Sequence, residues 1–407
     1  MPNRPFRFIH AGDFHLETPP HGVLEVPDHL RDVLLESAYT AATRVFDAAL
    51  AEEAEFVILS GDIVNVQAAG LRAPVFLADQ FGRLARRGIA VYWAGGEVDP
   101  PDAWPSAFAL PENVHMFPRG RAGQSVHLRE GTPLARLVGL SRDGQRLRPA
   151  DFEPDPAGLF SIAVVHGAAE PATLQSQQGI HYWALGGRHD RGTLLSTPTI
   201  VHYPGSPQGR CPQEPAAHGC TLVQVDERGQ GRPSLVATDA IRWMTERIAI
   251  DAAMERESLE NLFRERIHAL IESTPKIDLM ISWTLVGSGP LITSLRHEAM
   301  RDQTLDALRA EYGAGSPAAW SVALEVEPTD DVPAAWYEQD QTLDIFDPDG
   351  WERTEAGATA WWTDLISEKE YERRRNMCSS VAFGELNHLP PLGASISKDR
   401  TAKFSTG

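Results

Sequence analysis

Phe6-Arg7-Phe8-Ile9-His10-Ala11-Gly12-Asp13-Phe14-His15 sets an apolar run directly against an acidic, histidine-bearing turn. The run Phe6 to Ala11 reads as a buried strand, and Gly12-Asp13-Phe14-His15 is the turn at its carboxyl end. The same arrangement recurs along the chain. Phe56-Val57-Ile58-Leu59 leads to Gly61-Asp62. Val165-His166-Gly167 and Gly186-Gly187-Arg188-His189 each follow a further apolar run. In α/β proteins, ligands bind at the carboxyl ends of strands. Carboxylates and neutral imidazoles gathered there suit a transition metal. One isolated Asp or His after a strand is commonly a turn or cap residue; four such turns in sequence point to a site.

Between the first two turns lies a helix over about Leu30 to Glu52. Its apolar residues Leu34, Ala38, Ala41, Val45 and Ala49 fall at three- and four-residue spacing. A second helix, about Ala73 to Arg87, carries Val75, Leu77, Phe81 and Leu84, and Ile89–Trp93 follows as a strand. This β-α-β-α-β order predicts parallel strands with crossover helices. Further strands are expected at Val114–Phe117, Ser125–Leu128, Leu134–Leu140, Phe160–Val165, Tyr182–Leu185, Thr199–Tyr203, Cys220–Val225 and Ser234–Thr238. The later ones read as an antiparallel second half of a sandwich.

The order Asp-x-His, Gly-Asp, Val-His-Gly and Gly-x-x-His resembles the calcineurin-like metallophosphoesterases. Tyr203-Pro204-Gly205-Ser206-Pro207-Gln208 narrows the likeness to SbcD- and YhaO-type members. The resemblance is close over roughly residues 6–240. It implies an α/β four-layer β-sandwich flanked by helices, with a small α+β capping domain. It also implies two metals, commonly manganese, about 3.5–4 Å apart and bridged by one Asp. Asp13, His15 and His189 match ligands of one metal, Asp62 matches the bridge, and His166 matches a ligand of the second.

The departures cluster on that second site. Where the family has Gly-Asn-His, this chain has Gly95-Gly96-Glu97. Gly96 stands for a metal-binding Asn, and Glu97 for the histidine thought to protonate the leaving group. Gly187 stands for a further histidine ligand. One manganese or other divalent transition metal is therefore expected, with the second site in doubt. Glu97 or Asp99 could serve as a stand-in ligand, or Glu97 could be a solvated loop acid with some catalytic part.

The chain has 407 residues, 42% hydrophobic and 23% charged, as expected of a globular protein with two or three domains. No apolar run approaches a membrane span, and no signal-peptide pattern is seen. Cys211, Cys220 and Cys378 form no CxxC pair, which suggests reduced thiols and a cytoplasmic setting. A net charge of −19 excludes DNA binding through bulk positive charge. Residues 1–240 hold 20 Lys+Arg against 27 Asp+Glu, and 241–407 hold 17 against 29. All the basic residues of the first stretch are arginines, whose forked donors suit phosphate.

The expected domains are 1–240, the phosphoesterase; 241–328, a capping domain; 329–390, an acidic, partly helical region; and 391–407, a flexible tail. The capping stretch reads as strand Arg247–Ile250, a helix around Leu259–Ile271, strand Leu279–Leu285, helix Leu295–Tyr312 and strand Ala319–Val326. Beyond Pro328 come Trp336, Trp351, Trp361 and Trp362 among many acids, with a helix over Trp361–Asn376. The resemblance implies that this region docks on an SMC-type (SbcC-like) ATPase; an ordinary packed helix is the alternative. It also implies a homodimer and DNA ends or single strands as substrate. The leading expectation is a metal-dependent phosphodiesterase or DNA exonuclease subunit in DNA repair, with impaired catalysis. A structural subunit without hydrolysis, or a small-nucleotide phosphodiesterase, are the alternatives.

Overall fold

The computed structural model describes residues 4–23, 25–142, 152–168, 170–175 and 179–327. The acidic region after Pro328, its expected helix and the tail lie outside the described residues. The described residues form one compact unit.

Chain order explains the first sheet. Strand β1 (Phe6–Ala11) is followed by α1 (Asp28–Ala51), β2 (Phe56–Leu59), the short α2 (Val66–Ala69), α3 (Arg72–Ala85), β3 (Ala90–Trp93) and β4 (Val114–Met116). These four strands pair in parallel, in sequence order. The period-two alternation of the strands sorts their side chains. Ile9, Val57, Leu59, Val91 and Trp93 face the helices and pack on Ala42, Val45, Phe46, Ala49, Leu77 and Phe81. Phe6, Phe8, Phe56, Ile58 and Tyr92 face the other way, into the space between two sheets. Each buried large side chain there contributes about 1.5–3 kcal/mol, so this inner layer holds the two sheets together.

The second sheet begins with β5 (Gly123–Arg129), β6 (Thr132–Leu140) and β7 (Phe160–His166). After α4 (Pro171–Gln175) come β8 (Tyr182–Gly186), β9 (Gly192–Leu195) and β10 (Ile200–Tyr203). Its spatial order is β5-β6-β7-β8-β10-β9. Here the structure corrects part of the expected antiparallel second half: β10 runs parallel to β8, as β6, β7 and β8 do to one another. Only β5 and β9 are antiparallel to their neighbours. Parallel neighbours need a crossover, normally a helix with a clear apolar period. Between β7 and β8 the described helix is only the five residues of α4, too short to leave such a signal. Strands β11 (Gly219–Val225) and β12 (Gly231–Ala237) return to the first sheet, where β11 pairs antiparallel with β1.

Residues 241–328 form a third sheet. Strand β13 (Ile241–Ile250) starts six residues earlier than its sequence pattern suggested. It is followed by α5 (Arg256–Ser273), β14 (Asp278–Gly287), α6 (Pro290–Leu295), α7 (Glu298–Tyr312) and β15 (Ala319–Val326). The helix expected over Leu295–Tyr312 is α7 and begins three residues later, because His297 before it is extended, with φ −76° and ψ 128°; α6 is a separate helix ahead of it. All three strands are parallel. The sheet also touches the first part of the chain directly: Ile241, Trp243 and Met280 pack on Leu30 and Leu34 of α1.

Candidate metal centre

The carboxyl ends of β1 and β2 are stitched together beyond the strands proper. Asp13 N donates to Gly61 O at 2.9 Å, and His15 N to Asp62 O at 3.0 Å. Asp13, His15 and Asp62 all take left-handed backbone angles, with φ of 54°, 44° and 54°. Residues other than glycine seldom do so, and such strain gathers at functional sites. Opposite them, His166 ends β7 and pairs in register with Gly186 of β8. His189 follows three residues later.

These five side chains converge. Donor atoms of Asp13, His15 and His189 lie within 4.8 Å of one another, and so do those of Asp13, Asp62 and His166. The resemblance gave the shared position to Asp62; in the structure the residue common to both groups is Asp13. Its two oxygens each accept the Gly187 N–H at 3.0 Å. Gly187 has thus lost a side chain but keeps a part in the site through its amide.

Each histidine is oriented from behind, which fixes which nitrogen faces the cluster. His15 Nδ1 lies 3.2 Å from Glu17 Oε1, and Glu17 is held by the Asn65 N–H. His189 Nδ1 donates to Glu214 Oε1 at 2.6 Å. His166 Nδ1 donates to the Ser60 carbonyl at 2.8 Å. Sequence reading missed Glu17 and Glu214, because lone acids away from a strand end carry no signal. It missed Ser60 because a backbone carbonyl is invisible in sequence.

The fit to a divalent cation can be judged from this shell. His15 Nε2 is buried, points into the group and has no hydrogen-bond partner, as a ligand nitrogen would. Burial pushes the Asp13 carboxyl above its ordinary range, a cost that a bound cation would relieve. Asp13, His15 and His189 could therefore hold one metal.

The other side is built differently. Burial pushes the Asp62 carboxyl up, but the hydrogen bond and charge of His166 outweigh it and leave it well below its ordinary range. Burial likewise lowers His166, yet Asp62 lifts it to about 9. The two face each other at 3.2 Å through Asp62 Oδ2. Asp62 Oδ1 accepts the N–H groups of Glu97 and Val98 at 2.7 and 3.1 Å. Asp99 completes the turn from inside. Its carboxylate accepts the N–H groups of Asp62, Ile63 and Gly96 and the Trp93 indole N–H. Burial, with Asp62 nearby, pushes Asp99 up to about 7 against the pull of those donors.

These contacts bear on two alternatives that the sequence left open. Asp99 braces the turn from inside and lies outside both donor groups. Glu97 is also no member of the cluster: its side chain is 61% exposed and pairs with Arg142 at 2.5 Å. Nothing forces that acid inward, because the flanking backbone already satisfies Asp62.

The Tyr203–Gln208 turn ties His189 to the third sheet. Ser206 N donates to His189 O at 2.9 Å, and Gln208 bridges to the Ala240 N–H and the Ile241 carbonyl. Just beyond, Arg210 is almost fully buried. One of its Nη atoms lies 2.8 Å from both ring nitrogens of His189, a contact with the ring rather than with one lone pair. Among the described residues Cys211 and Cys220 are buried free thiols, and no helix is long and apolar enough to cross a membrane.

No protein-family model matches the chain. It is similar to the uncharacterized metallophosphoesterase YhaO of Bacillus subtilis (strain 168), 27% identical over 334 residues, 79% of this chain and 81% of that one. Among solved structures it is similar to a dimetal phosphatase from Danio rerio, 12% identical, TM-score 0.37, covering 58% of this chain and 99% of that one. It is also similar to an archaeal phosphodiesterase, 11% identical, TM-score 0.30, covering 56% and 99%. The chain is thus similar to a metallophosphoesterase across four-fifths of both chains, and it gathers Asp and His donor atoms at its strand ends.

Proposed function

We propose that the chain hydrolyses phosphodiesters slowly at a one-metal site, with DNA as the substrate class. The observation that supports it is the convergence of Asp13, His15 and His189 with a free, buried His15 Nε2. A divalent ion such as manganese, when bound there, supplies Lewis acidity toward the phosphate and toward water. The chain's own groups do the rest. Glu17 and Glu214 hold the imidazoles in place, and the Gly187 amide steadies Asp13. Water adds to phosphorus and gives up a proton to solvent, the bond to the leaving oxygen breaks, and that oxygen takes a proton from solvent. Glu97, at the place of the family's histidine acid, is paired with Arg142, so that position lacks its proton donor. That absence alone costs about 10²–10⁴ in rate.

The 241–328 stretch is proposed as a capping domain, and the chain as a homodimer that binds an SMC-like ATPase through residues beyond 328. Support for this finer part is the Tyr203–Gln208 turn, whose Gln208 and Ser206 link the site to the third sheet. A second reading, a structural subunit without hydrolysis, is favoured by the two backbone N–H groups that occupy Asp62 Oδ1.

The test is elemental analysis after manganese soaking, with hydrolysis of bis(p-nitrophenyl) phosphate and of end-labelled DNA. About one equivalent of metal and slow cleavage that Asp13→Asn abolishes is the expected result. Metal binding with no cleavage would favour the structural subunit. Light scattering, and co-purification with an SMC-like ATPase, check the assembly; a monomer that ignores such a partner would defeat it.

A further inference from the structure

We propose that Arg142 grips a phosphate oxygen of the substrate on the His166 side of the cluster, where the family places a second metal; this rests on the phosphoester reading above.

A second resident metal would find only Asp13, Asp62 and His166 as its donor set. Two of its expected ligands are Gly96 and Gly187, which offer no donor side chain. A Cβ on Gly96 would stand 2.3 Å from Asp62 Oδ1 and 2.5 Å from Asp62 N. Backbone cannot yield there cheaply, so the turn has closed against Asp62 in a way that only glycine allows. Asp62 Oδ1 already accepts two N–H groups, and Asp62 Oδ2 faces His166.

A cation has nonetheless been placed at this corner. Arg142 Nη1 is 2.8 Å from where a Cβ on Gly167 would stand. A Cβ on Gly187 would stand 3.4 Å from Gly167 Cα and 3.1 Å from His166 Nε2. Gly167 therefore stands between the guanidinium and the pair formed by Gly187 and His166 Nε2. The arginine is rooted on the turn that closes Asp62: Arg142 N donates to Gly95 O at 2.9 Å, and Gly95 N to Ser141 Oγ at 2.8 Å. Its other Nη is held by Glu97. One carboxylate cannot engage all five guanidinium N–H donors, and the side chain is 36% exposed.

Electrostatics gives the reason for such a group. A phosphodiester entering here meets Asp13, Asp62 and Glu97. With a second metal absent, the approaching anion needs a compensating charge on this side. A planar fork of donors matches two phosphate oxygens and carries its charge at every working pH. Glu97 competes with the phosphate for that fork. The bland alternative is a partly exposed ion pair of little consequence.

The experiment titrates inorganic phosphate into the full-length chain, followed by calorimetry, with bound manganese measured separately in every sample. Arg142→Ala should weaken phosphate binding by about tenfold or more, the size of a lost charge-assisted contact, with manganese content unchanged. Arg142→Lys should recover part of the affinity. Glu97→Gln should tighten binding by freeing the fork. With bis(p-nitrophenyl) phosphate, Arg142→Ala should raise KM. Phosphate affinity that ignores Arg142→Ala, or that falls in Glu97→Gln, overturns the proposal, and so does a wild-type chain that binds no phosphate. Arg142-dependent phosphate binding in a chain that holds no manganese would uphold Arg142 while sinking the one-metal reading.

Discussion

The His15/His189 side and the Asp62/His166 side of the cluster use the same residue types to opposite ends. On the first, each imidazole is braced from behind by a carboxylate, Glu17 or Glu214, and His15 keeps a buried nitrogen without a hydrogen-bond partner, 3.7 Å from Asp62 Oδ2. On the second, the donor atoms satisfy one another: Asp62 meets His166, and backbone N–H groups fill what is left of the carboxylate. A polar group buried with no partner is costly, so the first side holds its shape for an incoming cation. The second side has none left over. At Gly96 there is no room for a side chain, since a Cβ there would stand 2.3 Å from Asp62 Oδ1.

The largest effect should come from the residue common to both sides. Asp13→Asn keeps the shape and removes the charge, so manganese affinity should fall by more than about 100-fold. Calorimetry on the purified variant checks this, and a retained full equivalent would mean that the two sides do not depend on Asp13 at all.

Acid should next expose what lies behind the second side. Ser60, whose carbonyl orients His166, is bonded through its hydroxyl to the buried His10, whose ring in turn contacts His202. Burial holds His10 well below its ordinary range and His202 down to about 3. A histidine depressed in the folded state binds its proton first in the unfolded chain. Stability is therefore full above about pH 6.5 and falls as pH drops toward 3. At pH 4.5 His202 alone should account for about 2–3 kcal/mol of the loss. Urea unfolding at pH 7.5 and 4.5, in wild type and His202→Gln, reads it; identical pH slopes would place the acid sensitivity elsewhere.

Gly96→Asn separates a degenerate second site from a remodelled one. If the site were only missing a ligand, the Asn should restore a second equivalent of metal. The 2.3 Å approach to Asp62 Oδ1 predicts instead a loss of about 1–3 kcal/mol in stability and no added metal. Two equivalents in a stable variant would show that the turn can reopen.

The smallest effect should be Glu214→Gln. Burial pushes the Glu214 carboxyl up, but His189 and Arg210 hold it down at about 2. Removing that charge while keeping the hydrogen bond should weaken manganese binding by about tenfold. An unchanged affinity would mean that the brace behind His189 is ornamental.

Much of this architecture was legible along the chain. The apolar runs ending in Asp13, Asp62, His166 and His189 located the strands and the turns at their ends, because strand burial and strand-end chemistry are both local patterns. The first sheet followed from clear helical periods between its strands. The parallel course of β7, β8 and β10 did not, since the connection between β7 and β8 carries only a five-residue helix in the described residues.

Residue identity alone determined which ligands are present and which are missing: two glycines cannot donate to a metal wherever the chain places them. Tertiary structure alone decided what those glycines do instead. It turned Glu97 outward to Arg142, buried Asp99 under four N–H donors, and set Glu214 behind His189 from 25 residues away. Those outcomes depend on hydrogen bonds between backbone and side chains of separate strand ends. Their energies are set by distance and burial, and neither is written in the order of the residues.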